Sequence, residues 1–131
     1  MTMRKLFIGL AVLLTAGSAV AASPQEVRAY IQSLDDGIDE GYEVLEYGDL
    51  HRMSIHSRHM KSLVDNGQEY GPNVFAKPYG YCYAAGIHAN ALWQEMIDKS
   101  RGKDGPALDG AMKQYEEYRA ACLDVVDKVE E

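Results

Sequence analysis

The stretch HRMSIHSRHMK, residues 51–61, gathers three histidines and two methionines on one helical segment. At about 100° per residue, Met53, His56 and Met60 share one flank, with His59 beside them. Imidazole with thioether is a donor set that copper favours, Cu(I) above all. A copper or haem site at Met53, His56, His59 and Met60 is therefore the alternative functional reading. The structural reading makes the methionines core and the histidines boundary residues, and under it no cofactor is expected. Covalent haem is excluded because CxxCH does not occur, and a ferritin-like di-metal centre is disfavoured because Glu-x-x-His does not occur.

Three further sets bear on function. Asp36, Asp39, Glu43 and Glu46 form an acidic stripe, with Asp35, Glu40 and Asp49 nearby, and no Lys or Arg falls between Arg28 and Arg52. Such a face suits a basic protein partner or weakly held divalent cations. Its structural reading is a set of ion pairs to the next helix: Glu46 to Arg52, Asp39 or Glu40 to Arg58, and Asp36 to Lys61. Tyr70, Tyr79, Tyr81 and Tyr83 cluster around a loop and the helix start that follows it. They read either as a recognition patch or as rings closing the end of the core. His88 has no serine or cysteine nucleophile with a matching acid around it, so no catalytic residue is assigned and enzymatic activity is not expected.

The elements that must position these groups are helices. Ser23-Pro24-Gln25-Glu26 is a capping box opening a first helix, with Val27, Ile31, Leu34, Ile38, Gly41 and Leu45 in its seam and Tyr30 and Tyr42 beside it. Gly48-Asp49 breaks the pattern, and Asp49 caps a second helix. Its expected seam is Leu50, Met53, Ser57, Met60 and Val64, with Leu63 at the flank and Gly67 as a left-handed terminator. Residues 68–78 are the one long irregular stretch, where Val74-Phe75-Ala76 reads as a turn capped by Asn73 or as a segment pressed on the core.

The third helix, YGYCYAAGIHANALWQEMI, organises the rest. Cys82, Ala85, Ala89, Leu92 and Met96 form one stripe, and Ala84, Ile87 and Ala91 make the helix apolar nearly all round, as expected of a central helix. Gly102 stops it, and Asp104 and Pro106 start a fourth helix with the stripe Leu108, Ala111, Tyr115, Tyr118, Cys122, Val125 and Val129. Laid antiparallel, the last two helices set Cys82 level with Cys122, Ala89 with Tyr115 and Met96 with Leu108. Small residues then face large ones, and the two sulfurs meet in a disulfide.

The fold expected is an all-α, up-and-down antiparallel four-helix bundle with one interhelical disulfide. It forms a single domain over residues 22–131. Residues 1–21 read as a secretory signal peptide: Arg4 and Lys5, an apolar run over Leu6–Ala16, then Ala19-Val20-Ala21 at the cleavage site. Periplasmic or secreted location follows, and two cysteines in an exported chain fit a disulfide. The 131-residue chain carries 13 basic and 20 acidic residues; losing Arg4 and Lys5 takes its net charge from −7 to −9. That balance argues against nucleic acid and anionic lipid. The expected function is non-enzymatic protein binding of the inhibitor or immunity type, through the acidic stripe, Tyr70, Tyr79 and Tyr81.

Overall fold

Helix boundaries follow from local capping chemistry. The computed structural model describes residues 22–103 and 107–130. The signal-peptide reading of residues 1–21, and the roles expected of Asp104 and Pro106, fall outside them. Ser23 is extended, and its hydroxyl accepts from the Glu26 amide at 3.2 Å, opening α1 (Pro24–Tyr47) with proline in the first turn. Gly48, at φ 65°, ends α1 in the left-handed conformation. The Asp49 carboxylate accepts from the His51 amide at 2.8 Å and caps α2 (Leu50–Gly67). A 3₁₀ turn, Gln68–Tyr70, continues it. After the loop come α3 (Gly80–Ser100), stopped at Gly102 with φ 79°, and α4 (Ala107–Glu130). Gly67 is not the expected terminator: its φ is −63°, and the chain passes straight into the 3₁₀ turn.

Neighbouring helices run head to tail. Gly41 meets His56 while Tyr30 meets Leu63 and Gly67; Trp93 meets Ser57 while Tyr83 lies at Gly67. Asp35 meets Arg119 while Arg28 meets Glu130. Cys82 and Cys122 are joined, with alpha carbons 4.8 Å apart, so the register expected of the last two helices holds at its decisive pair. The packing is that of a helical bundle, with α3 touching every other helix and α1 packed against it across the middle.

The second apolar face of α3 meets α1 and α2. Its centre is Trp93, fully buried. The indole N–H donates to Ser57 Oγ at 2.8 Å, and the ring lies so close to Gly41 that a β-carbon there would come within 2.9 Å of it. Ile87 and Ala91 instead face solvent, so α3 is apolar on two sides rather than all round.

Two seams are rotated from their expected positions. On α2 the buried residues are Met53, His56, Met60, Leu63 and Gly67, while Leu50 is exposed and Ser57 and Val64 are half-buried. Gly37 and Gly41 cause this, because the groove they leave on α1 admits Met60 and the His56 ring. On α4 the stripe passes from Cys122 to Val126, which is 0% exposed, and leaves Val129 at 51%. A straight helix drifts by about 20° per heptad against a 3.5-residue repeat. In the same final turns Arg28 holds Asp127 and Glu130 against α1, at 2.6 and 2.9 Å.

Candidate functional site

The acidic stripe stands without the cations expected to neutralise it. Asp36, Asp39, Glu43 and Glu46 are all exposed, and none makes an ion pair among the described residues. Asp36 accepts only from the Gln32 amide, at 2.9 Å. The pairs expected with α2 do not form. Arg58 lies about 160° around α2 from buried Met60, so it points away from α1. Arg52 turns back to Asp49 at 3.8 Å and lies over the Tyr47 ring at 4.9 Å. The carboxylate of this set that pairs with another helix is Asp35, which takes both arms of Arg119 on α4 at 2.8 to 3.0 Å and accepts from the buried Tyr115 hydroxyl at 2.5 Å.

The loop tyrosines separate by burial. Tyr79 is buried and belongs to the core, so it offers no face to a partner. Tyr70 is half-buried, its ring 4.9 Å from that of Tyr30. Tyr81 remains about half-exposed. The residue that sequence reasoning missed is Phe75. It is 88% exposed, the most exposed large apolar side chain described, and it is not pressed on the core.

The loop that carries Phe75 is braced. Its amide donates to Asn73 Oδ1 at 2.9 Å, and the Ala76 amide donates to the Asn73 carbonyl at 3.1 Å. The Gly80 amide donates to the Ala76 carbonyl at 2.8 Å, and the Val74 backbone rests on Gly80. Residues 74–78 with Tyr81 and Val125 line an apolar groove of about 350 Å³. Tyr81 also leads to Tyr118, 6.3 Å away, whose ring stacks on His88 at 4.5 Å. Burial lowers the pKa of His88.

The sequence-derived metal candidates divide as well. Met53 and Met60 are core residues, and Met60 sulfur is what a β-carbon on Gly37 would strike first. His56 is buried with Nε2 2.7 Å from the Gly37 carbonyl oxygen, and burial lowers its pKa. His59 is exposed, its ring 5.8 Å from that of His56.

Two buried phenols set an alkaline limit on the fold. Burial raises the pKa of Tyr30, and burial together with the Asp35 carboxylate raises that of Tyr115. The folded state thus keeps both protons above pH 10, where the unfolded chain releases them. Stability from these groups is complete below about pH 10 and falls as pH rises beyond it, by up to about 1.4 kcal/mol per unit for each phenol. Urea unfolding at pH 8, 10 and 11 measures this, and Tyr30→Phe is expected to shallow the slope by about half.

Phe75 and the acidic stripe sit at opposite halves of the molecule. The loop adjoins the start of α1, the end of α2 and the end of α4, whereas the stripe runs toward Gly48. Across α1, 24 residues long, that separation is about 20–30 Å. Neither family models, curated proteins nor solved structures give a match to this chain, so the reading of its surfaces rests on their geometry.

Proposed function

We propose that this chain is an exported, non-enzymatic binding protein of the inhibitor or immunity type, which occupies a protein partner through its aromatic end. Phe75 is the anchor, Tyr81 stands beside it, and Val125 lines the groove below. The observation that carries this reading is an 88% exposed phenylalanine held on a braced loop. Exposed aromatic anchors dominate binding energy at protein interfaces, and a loop already ordered loses little entropy on docking. The acidic stripe is too far away to share a small interface. Its role is long-range: it raises the encounter rate of a basic partner and makes that rate fall with salt.

The test is co-purification of partners from the envelope fraction of producing cells. Phe75→Ser is expected to weaken the complex by tenfold or more, and Tyr81→Ser to add to the loss. Reversing Asp39 and Glu43 to lysine is expected to slow association with little change in dissociation. The reading fails if the Phe75→Ser, Tyr81→Ser double variant, folded as the parent is, retains the same partners in the same yield.

A further inference from the structure

A groove of about 420 Å³ separates the outer edges of α1 and α2, lined by Glu40, Val44, Arg52, Ile55, His56 and His59. His56 belongs to its floor and is only 5% exposed. Its Nε2 faces the Gly37 carbonyl oxygen at 2.7 Å. A carbonyl oxygen only accepts, so this nitrogen carries the ring proton and donates it. In the neutral ring, Nδ1 then holds the lone pair. It accepts from no group among the described residues, yet it is not sealed from solvent. The Trp93 ring, 4.7 Å away and nearly perpendicular, fixes the orientation of the imidazole. A ring tied by one N–H to a backbone carbonyl and presenting its other nitrogen is the arrangement metal-bound histidines adopt.

A second imidazole stands one turn along the same helix. The His56 and His59 ring centres are 5.8 Å apart. An ion about 2.0–2.1 Å from a ring nitrogen lies about 3.3 Å from the ring centre, so two rings on one ion stand about 5.4 Å apart at the tetrahedral angle and about 6.5 Å apart at the linear limit, and rotation of the exposed His59 side chain closes the difference. Glu40 faces the groove from α1, and its negative field, which already acts on His56, favours a cation there. Arg52 shares the rim, but its guanidinium lies over Tyr47 and toward Asp49.

The geometry points to a divalent-cation site at His56 Nδ1 and His59, open to Glu40 and water, with Cu²⁺ held most tightly and Zn²⁺ more weakly. Among the described residues no three His, Cys, Asp or Glu side chains are already gathered around one point. The protein therefore provides two nitrogens, and the site is of modest affinity. It differs from the Cu(I) set that is the alternative reading of the sequence, because the Met53 and Met60 thioethers are core and do not line the groove. It is also independent of the aromatic end, so its failure would leave the proposed function untouched.

Titration of the oxidised mature chain with Cu²⁺, followed by calorimetry and electron paramagnetic resonance, tests the site, and Zn²⁺ serves as the second probe. One ion per chain with nitrogen hyperfine structure is expected. His59→Ala, at an exposed position, is expected to lower affinity at least tenfold without changing the thermal midpoint. His56→Gln is expected to do the same to affinity at some loss of stability, while His51→Ala leaves binding as it was. Absence of stoichiometric uptake at micromolar protein, or wild-type affinity in His59→Ala, would overturn the assignment. The second outcome would place the ion elsewhere, on the acidic stripe or the chain terminus.

Discussion

Replacing Cys82 and Cys122 together by alanine is expected to lower the free energy of unfolding by about 4 kcal/mol. The bridge spans a sequence separation of 40 residues, and its loss returns that loop's freedom to the unfolded chain. Both cysteines are fully buried between α3 and α4, so the alanines also leave a small void. Urea unfolding measures both consequences. The midpoint falls, and the slope steepens because the unfolded chain without its cross-link exposes more surface. A loss below about 1 kcal/mol would mean that the reduced unfolded chain keeps the two helices paired, contrary to the chain-entropy account.

Gly86→Ala is expected to cost about 3 kcal/mol, a large effect for one methyl group. A β-carbon there would come within 2.1 Å of the Tyr30 hydroxyl oxygen. That oxygen has nowhere to go. It donates to the Leu63 carbonyl at 2.7 Å, and Gly67 closes the other side, where a β-carbon would come within 2.3 Å. Relief requires the ring to swing away and give up that buried hydrogen bond. The explanation is checked by a double-mutant cycle. Tyr30→Phe alone should cost about 1–2 kcal/mol, but Gly86→Ala placed on it should cost less than about 1, since the next ring atom lies 3.3 Å off. Additive losses would show that the hydroxyl is not what excludes the side chain.

These two sites mark the boundary of what the chain discloses before folding. The cysteine register was readable because it needs only two helical periods and one antiparallel turn. The caps at Ser23 and Asp49 were readable because their chemistry is complete within three residues. The collision at Gly86 was not, because it depends on a tyrosine 56 positions earlier and on a carbonyl from a third helix. His56 was assigned to the boundary because its place depends on how far α2 rolls. That roll is fixed by the absence of side chains at Gly37 and Gly41, on another helix. The same roll turns Arg58 outward and leaves the acidic stripe without its expected cations.

Phe75 was obscured for a different reason. An aromatic in a loop reads equally as core or surface, and only the Asn73 and Gly80 contacts decide which. Trp93, the one tryptophan, lies off the main stripe of α3, so its central position depended on which neighbours that second face meets. Tyr79, grouped with its exposed neighbours by sequence, turns inward where Tyr81 turns outward.

The Arg28 clasp on Asp127 and Glu130 brings the two extremities of the described chain together, and Val125 places that junction beside the aromatic loop. An affinity tag or fusion domain joined at either end of the described residues would crowd the neighbourhood of Phe75. A bait anchored instead from the tight bend at Gly48, at the far pole, would leave that ring facing open solvent.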